Sequence, residues 1–243
     1  MNLTRADNPN SEQSALAIKY FLDHFSTELL FDKNKFQNKN EELAHFYLEK
    51  LSEVFSVFDR LIRYEKYFKD FLPSASSGIS ESEAIEYHMR SYIGDFYILQ
   101  ERIRKITNKL IEDLPNYNIA NQKEIEEVVK HLSNQTSSKF SKITSGLRRE
   151  HVHERSITEL DLITGKFLSS LVSGEITIPT EINLDIEKVK NRRDEVVTSM
   201  KNKHIGQASK NSDSLRKMKE WFAARFIYIF ASLNGHTIDG IKM

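Results

Sequence analysis

The sequence has no cysteine, which excludes disulfides, thiolate metal sites and a cysteine nucleophile. Proline (4) and glycine (8) account for 12 of 243 residues, roughly 5% against an average of about 12%. A many-stranded β protein needs a turn cluster at each hairpin, and this chain has too few turn formers to supply them. Net charge is also lacking, since 35 basic side chains balance 35 acidic ones. A basic coat for nucleic acid is thereby excluded, and any contact with phosphate has to be local. There is no long apolar run. The most apolar stretch, Phe222 to Leu233, contains Arg225 and is only 12 residues long, so it is too short to cross a bilayer and reads as a buried helix. The leading MNLTRADNPNSEQ lacks the apolar segment of a secretory leader. Solenoid-period repeats, P-loop and Rossmann glycine patterns, zinc-protease motifs and nucleophile elbows are absent as well. These absences predict a cytoplasmic protein with no membrane segment, no metal and no cofactor.

What is present is helical periodicity. From Glu12 to Phe31, Ala15, Ile18, Leu22, Phe25 and Leu29 recur at three and four residues, which is one helical face. DKNKFQNKN is then a polar connection. Asn38 to Glu41 has the spacing of a capping box and opens a long helix with the stripe Tyr47, Leu51, Val54, Phe58, Leu61, Phe68 and Leu72. Glu65 takes the one stripe position that is not apolar, and Pro73 stops the helix. A second box, Ser80 to Glu83, opens a helix in which Ile85, Met89, Tyr92, Phe96, Leu99, Ile103, Ile106 and Leu110 follow one another without a miss, up to Leu114–Pro115. Two such neighbours predict an antiparallel pair inside a bundle.

A third helix opens at Asn121 to Glu124 and carries Ile125, Val128, Leu132, Phe140 and Ile143, with Gly146 as its interruption. Ser156 to Glu159 opens a fourth, striped by Ile157, Leu160, Ile163, Phe167 and Leu171. ITIPT, between Gly174 and Pro179, is the only β-like stretch. Two further helices are expected, over 185–201 and 213–233. The fold class is therefore all-α, with at least five helices. The organisation reads as a helical extension over 1–40, a bundle over 41–175 and C-terminal helices over 176–243.

One segment concentrates chemistry. Gly146-Leu-Arg-Arg-Glu-His-Val-His-Glu-Arg155 holds three arginines and two histidines in ten residues at a helix junction, and Lys139 and Lys142 extend the basic character upstream. A local positive surplus in a neutral protein suits a phosphate-bearing ligand. Arg148 and His153 are separated by four residues, and LRREHVHER resembles the signature of the HEPN superfamily (higher eukaryote and prokaryote nucleotide-binding domains), an arginine, four to six residues, then a histidine. Arg149 stands where asparagine is commonest in that family, and Arg155 where many members carry a tyrosine. The resemblance covers roughly residues 41–175. It implies a HEPN-like helical bundle with additional N- and C-terminal helices, and a metal-independent endoribonuclease of the toxin or defence type. It further implies a homodimer with a composite active site, and an antitoxin protein as a further partner.

The chemistry asked of that pair is attack by an RNA 2′-hydroxyl on the adjacent phosphorus. Neutral imidazole accepts a proton near pH 7 and returns it to the leaving oxygen, and the planar guanidinium stabilises the added negative charge. His153 is the acid/base candidate and Arg148 the oxyanion candidate. Arg149, His151, Arg155 and Lys142 are the candidate RNA contacts. The bland account of the same residues is a cationic helix end, which the helix dipole favours by about 0.3–1 kcal/mol. His151 and His153 form H-x-H without a shared helical face or an obvious third ligand. Glu65 either pairs with a motif arginine or sits at the wet edge of the bundle. Lys188, Lys190, Arg192 and Arg193 read as a solvated face, with RNA binding as the other reading. Trp221, Phe222 and Tyr228 read as core or dimer interface. The rival to the enzyme is a non-catalytic HEPN-like helical module that binds nucleotide, RNA or a protein partner.

Overall fold

A chain whose apolar residues recur every three or four positions buries one stripe per helix, and the computed structural model has this character throughout. It describes residues 39–71, 73, 76–116, 121–151, 160–179 and 182–233; within the helices, the side chains of 40, 41, 44, 48 and 144–151 lie outside that description. The protein is all-α. Five helices are present among the described residues: α1 (Lys39–Asp70), α2 (Glu81–Asp113), α3 (Gln122–His151), α4 (Leu160–Ser173) and α5 (Ile186–Leu233). A 3-10 turn, Leu114–Asn116, closes α2. No strand occurs among the described residues, 176–179 included. The helix expected over 12–31 and the capping positions Asn38, Ser156 and Glu159 lie outside the described residues.

The described helices divide between two compact units. One draws on Met1–Asp59, Ile98–Ser141 and Ser214–Met243, the other on Arg60–Tyr97 and Lys142–Asp213. In the first, α1 and α2 run antiparallel: Tyr47 donates to Asp113 at 2.9 Å, and Arg102 donates to the Glu53 carbonyl at 2.8 Å. Its core is an aromatic column. Phe58 of α1 lies 6.4 Å from Phe140 of α3 and 6.3 Å from Phe222 of α5, ring centre to ring centre, and Phe226 and Phe230 continue the column along α5. The stretch from Phe222 to Leu233 is the buried helix its composition implies, and Trp221 and Phe222 are core.

In the second unit α1 and α2 are again antiparallel, with Tyr64 packed on Tyr92 and Phe68 on His88. Ser80 and Glu83 cap α2 reciprocally: the Ser80 amide donates to Glu83 Oε2 at 2.8 Å, and the Glu83 amide donates to Ser80 Oγ at 3.2 Å. Those bonds hold the Glu83 carboxyl below its usual range. α5 is capped by Asp185, whose Oδ1 accepts from the Lys188 amide at 3.2 Å. α4 approaches α2 and α5 through Gly165, where an added Cβ would lie 2.8 Å from Ser82 Oγ and 3.7 Å from Val197.

Four expectations are corrected. Gly146 does not interrupt α3, whose backbone stays helical to His151; one glycine costs a helix only about 1 kcal/mol, which a 30-residue helix absorbs. The helices expected over 185–201 and 213–233 are one, because Ala208, Asn211 and Ser212 of the polar-looking join are themselves buried. Glu65 does not occupy the α1 stripe: Tyr64 is buried in its place, and Glu65 is half-exposed. On α4 the expected face is the wrong one, since Leu162 and Gly165 are buried while Leu160, Ile163 and Phe167 are exposed.

One core position invites a gain in stability. Thr136 sits on the buried face of α3 between Leu132 and Phe140 at 2% exposure, and its hydroxyl has no hydrogen-bond partner. A buried unsatisfied hydroxyl costs about 1–3 kcal/mol. Thr136→Val keeps the shape and removes that cost, so it is expected to stabilise the protein by about 1 kcal/mol. Urea denaturation checks this through the midpoint, and a lowered midpoint would contradict it.

Candidate functional site

The motif sits at the end of α3. Backbone helicity runs through Arg148, Arg149 and Glu150 to His151, so these residues form the last turn, where orphan carbonyls favour cations. Lys142 is exposed. The side chains of Arg148, Arg149 and His151, and the whole of His153 and Arg155, lie outside the described residues.

Upstream of the motif, the Lys139 ammonium lies 5.0 Å from the centre of the Trp221 ring. A cation over an indole face is held by the ring quadrupole, so this lysine is engaged with the core wall. The charge run on α5 is solvated and internally matched: Lys188 with Asp185, Lys190 with Glu187, Arg192 with Glu195 and Arg193 with Asp194. Tyr228 is half-buried and donates to Glu124 at 3.0 Å.

A second constellation was missed in the sequence. Asp95 is 7% exposed on α2. It accepts from Arg60 Nε and Nη2 at 3.2 and 2.9 Å, and from the Tyr64 hydroxyl at 3.1 Å. Tyr64 packs on Tyr92, whose hydroxyl accepts from Asn211 Nδ2 at 3.0 Å, and Asn211 in turn accepts from Gln207. Burial raises the Tyr64 phenol, and the neighbouring Asp95 charge raises it further. Burial likewise pushes Tyr92 up to about 12, against the opposing effect of the Asn211 hydrogen bond. Both phenols therefore stay protonated and act as fixed donors or acceptors. With its oxygens committed to Arg60 and Tyr64, Asp95 acts as a clasp between α1 and α2 and not as a free base. The sequence signal was a lone aspartate beside Phe96 in an otherwise apolar stretch.

A cavity of about 350 Å³ lies at the start of α1, lined by Lys39, Leu43, Phe46, Lys109 and Asp113 among others. Asp113 there is already engaged by Tyr47 and Lys109. The cavity belongs to the first unit, whereas residues 142–213, the motif among them, belong to the second. No protein-family model, curated protein or solved structure matches the chain. No described helix is long and apolar enough to cross a membrane.

Proposed function

We propose that this chain is a metal-independent endoribonuclease of the HEPN type, acting in the cytoplasm as a homodimer in a toxin or defence role, with an antitoxin protein as a further partner. The observation that carries the reading is the Arg148-x4-His153 string at the C-terminal end of α3 in an all-α chain. Arg148 lies in the last helical turn, and His153 comes two residues after the last described one.

In the proposed reaction, His153 of one protomer takes the proton of the 2′-hydroxyl as its oxygen bonds to phosphorus. The bond from phosphorus to the 5′-oxygen breaks, and a protonated imidazole from the second protomer supplies that oxygen with its proton. The products are a 2′,3′-cyclic phosphate and a 5′-hydroxyl. Arg148 stabilises the phosphorane through its fork of donors.

The test is incubation of the purified protein with single-stranded RNA in EDTA. Cleavage with a cyclic-phosphate end is expected, and DNA of the same sequence resists because it lacks the 2′-hydroxyl. Cleavage that needs added divalent metal, or none across varied RNAs, would overturn the assignment, the latter in favour of the non-catalytic binding module.

A further inference from the structure

The cavity at the start of α1 is built from two short stretches of the first unit. Lys39, Glu42, Leu43 and Phe46 recur at three and four residues, so they form one face of the first turns of α1. The other wall is Lys109 and Asp113, four apart at the end of α2, with Asn116 in the turn that follows. Tyr47 fastens the walls together by donating to Asp113 Oδ2 at 2.9 Å. The space of about 350 Å³ is at the small end for a ligand pocket, which suits a metabolite.

The walls carry two ammonium groups and two carboxylates, and these are not equivalent. Lys109 and Asp113 satisfy each other at 2.6 Å. Lys39 and Glu42 are exposed, and neither side chain has an ion pair or hydrogen bond among the described residues. Their spacing and order are those of Lys50 and Glu53 on the same helix, which do pair, at 2.9 Å. Lys39 and Glu42 thus offer a cation and an anion side by side, with Cβ atoms about 5–6 Å apart as for any such helical neighbours. Further along the face the surface turns apolar. Leu43 is buried, and Phe46 is 40% exposed. The Phe46 ring is held by Tyr47, edge to face at 5.2 Å, and by Lys50 Nζ, 5.8 Å from its centre. Asn116 adds an exposed amide that both donates and accepts.

We propose that this cavity binds a free α-amino acid with an apolar side chain. Charge complementarity carries the choice. A ligand with a single charge answers Lys39 or Glu42 and leaves the other unmatched. An α-amino acid carries its carboxylate and its ammonium on one carbon, close enough to meet both groups at once, and its side chain then lies on Leu43 and Phe46. A peptide puts its two end charges on different residues, and glycine has nothing to set against Phe46. The site is independent of the ribonuclease reading, since its lining residues all fall in the first unit and the motif falls in the other.

Isothermal titration calorimetry of the full chain tests this with L-phenylalanine, glycine, 3-phenylpropionate, which keeps the carboxylate alone, and phenethylamine, which keeps the ammonium alone. L-phenylalanine is expected to saturate the site with a Kd below about 1 mM. Each of the others should bind at least about fivefold more weakly, having lost one ion pair or the apolar contact. Glu42→Gln and Lys39→Gln alter exposed side chains, and a far-UV spectrum serves as the folding control. Glu42→Gln should weaken L-phenylalanine about fivefold and leave 3-phenylpropionate unchanged. Lys39→Gln should weaken L-phenylalanine as much and leave phenethylamine unchanged. A structural defect would weaken every probe alike and could not produce that crossover. No saturable heat from L-phenylalanine up to about 10 mM would overturn the proposal. So would equal binding of glycine or of either singly charged analogue, tighter binding of a glycyl-phenylalanine dipeptide, or a loss in Glu42→Gln that falls equally on 3-phenylpropionate.

Discussion

His153→Ala is expected to lower RNA cleavage by at least about 10²-fold while leaving the far-UV spectrum unchanged, because a general acid or base contributes about 10²–10⁴-fold. The loss falls on the chemical step, so single-turnover rates at saturating protein should show it in full. Arg148→Ala should lose activity as well. Arg148→Lys should recover only part, since an ammonium keeps the charge but lacks the planar fork that meets two phosphorane oxygens. His151→Ala is the internal control: it lies off the motif spacing and should cost far less. The pH profile should be bell-shaped about neutrality, since one imidazole has to be neutral and its counterpart protonated, and both start from a pKa of about 6.5. Full activity in His153→Ala would remove this residue from the mechanism. A deficit as large in His151→Ala would move the chemistry to the other histidine.

The structure separates what periodicity can and cannot carry. All eight stripe residues read on α2, from Ile85 to Leu110, are buried: every step but one had a single apolar choice, and at that one the core took Tyr92 at three over Ile93 at four. On α1 the step after Leu61 offered Tyr64 at three or Glu65 at four. The core took Tyr64, whose hydroxyl serves Asp95 while its ring packs on Tyr92. A stripe of large apolar residues also hides where small residues matter. On α4 the inward contact is made through Gly165 against Ser82, so the larger Leu160, Ile163 and Phe167 turned out to be the outer face. The break expected near 202–212 failed for a related reason. Its polar composition reads as a connection, yet Asn211 is a buried partner of Tyr92, and His204 stacks 5.6 Å from Phe68. At the candidate site, the arginine–histidine spacing was legible directly. The Asp95 clasp was not, because a lone carboxylate acquires meaning only from helices that meet it in space.

Phe222→Ala is expected to be the most damaging single truncation in the core of the first unit. Phe222 is 0% exposed, 6.3 Å from Phe58 and 4.8 Å from Phe226, and Phe58 in turn stacks 6.4 Å from Phe140. One ring therefore ties α5 to α1 and, through Phe58, to α3. Removing a buried phenylalanine costs about 3–5 kcal/mol, the transfer free energy plus the cavity left behind. A protein of this size is held by about 5–15 kcal/mol in all, so the variant keeps a reduced margin. At about 2–4 °C per kcal/mol the thermal midpoint should fall by roughly 6–20 °C. Tyr228→Phe sets the scale on the same helix. It deletes one half-exposed hydrogen bond to Glu124 and no ring, so it should cost no more than about 1 kcal/mol. Scanning calorimetry on the two variants decides the matter. If both shift the midpoint by the same few degrees, the aromatic column is not what joins these three helices, and the burial along Phe222–Leu233 needs another account.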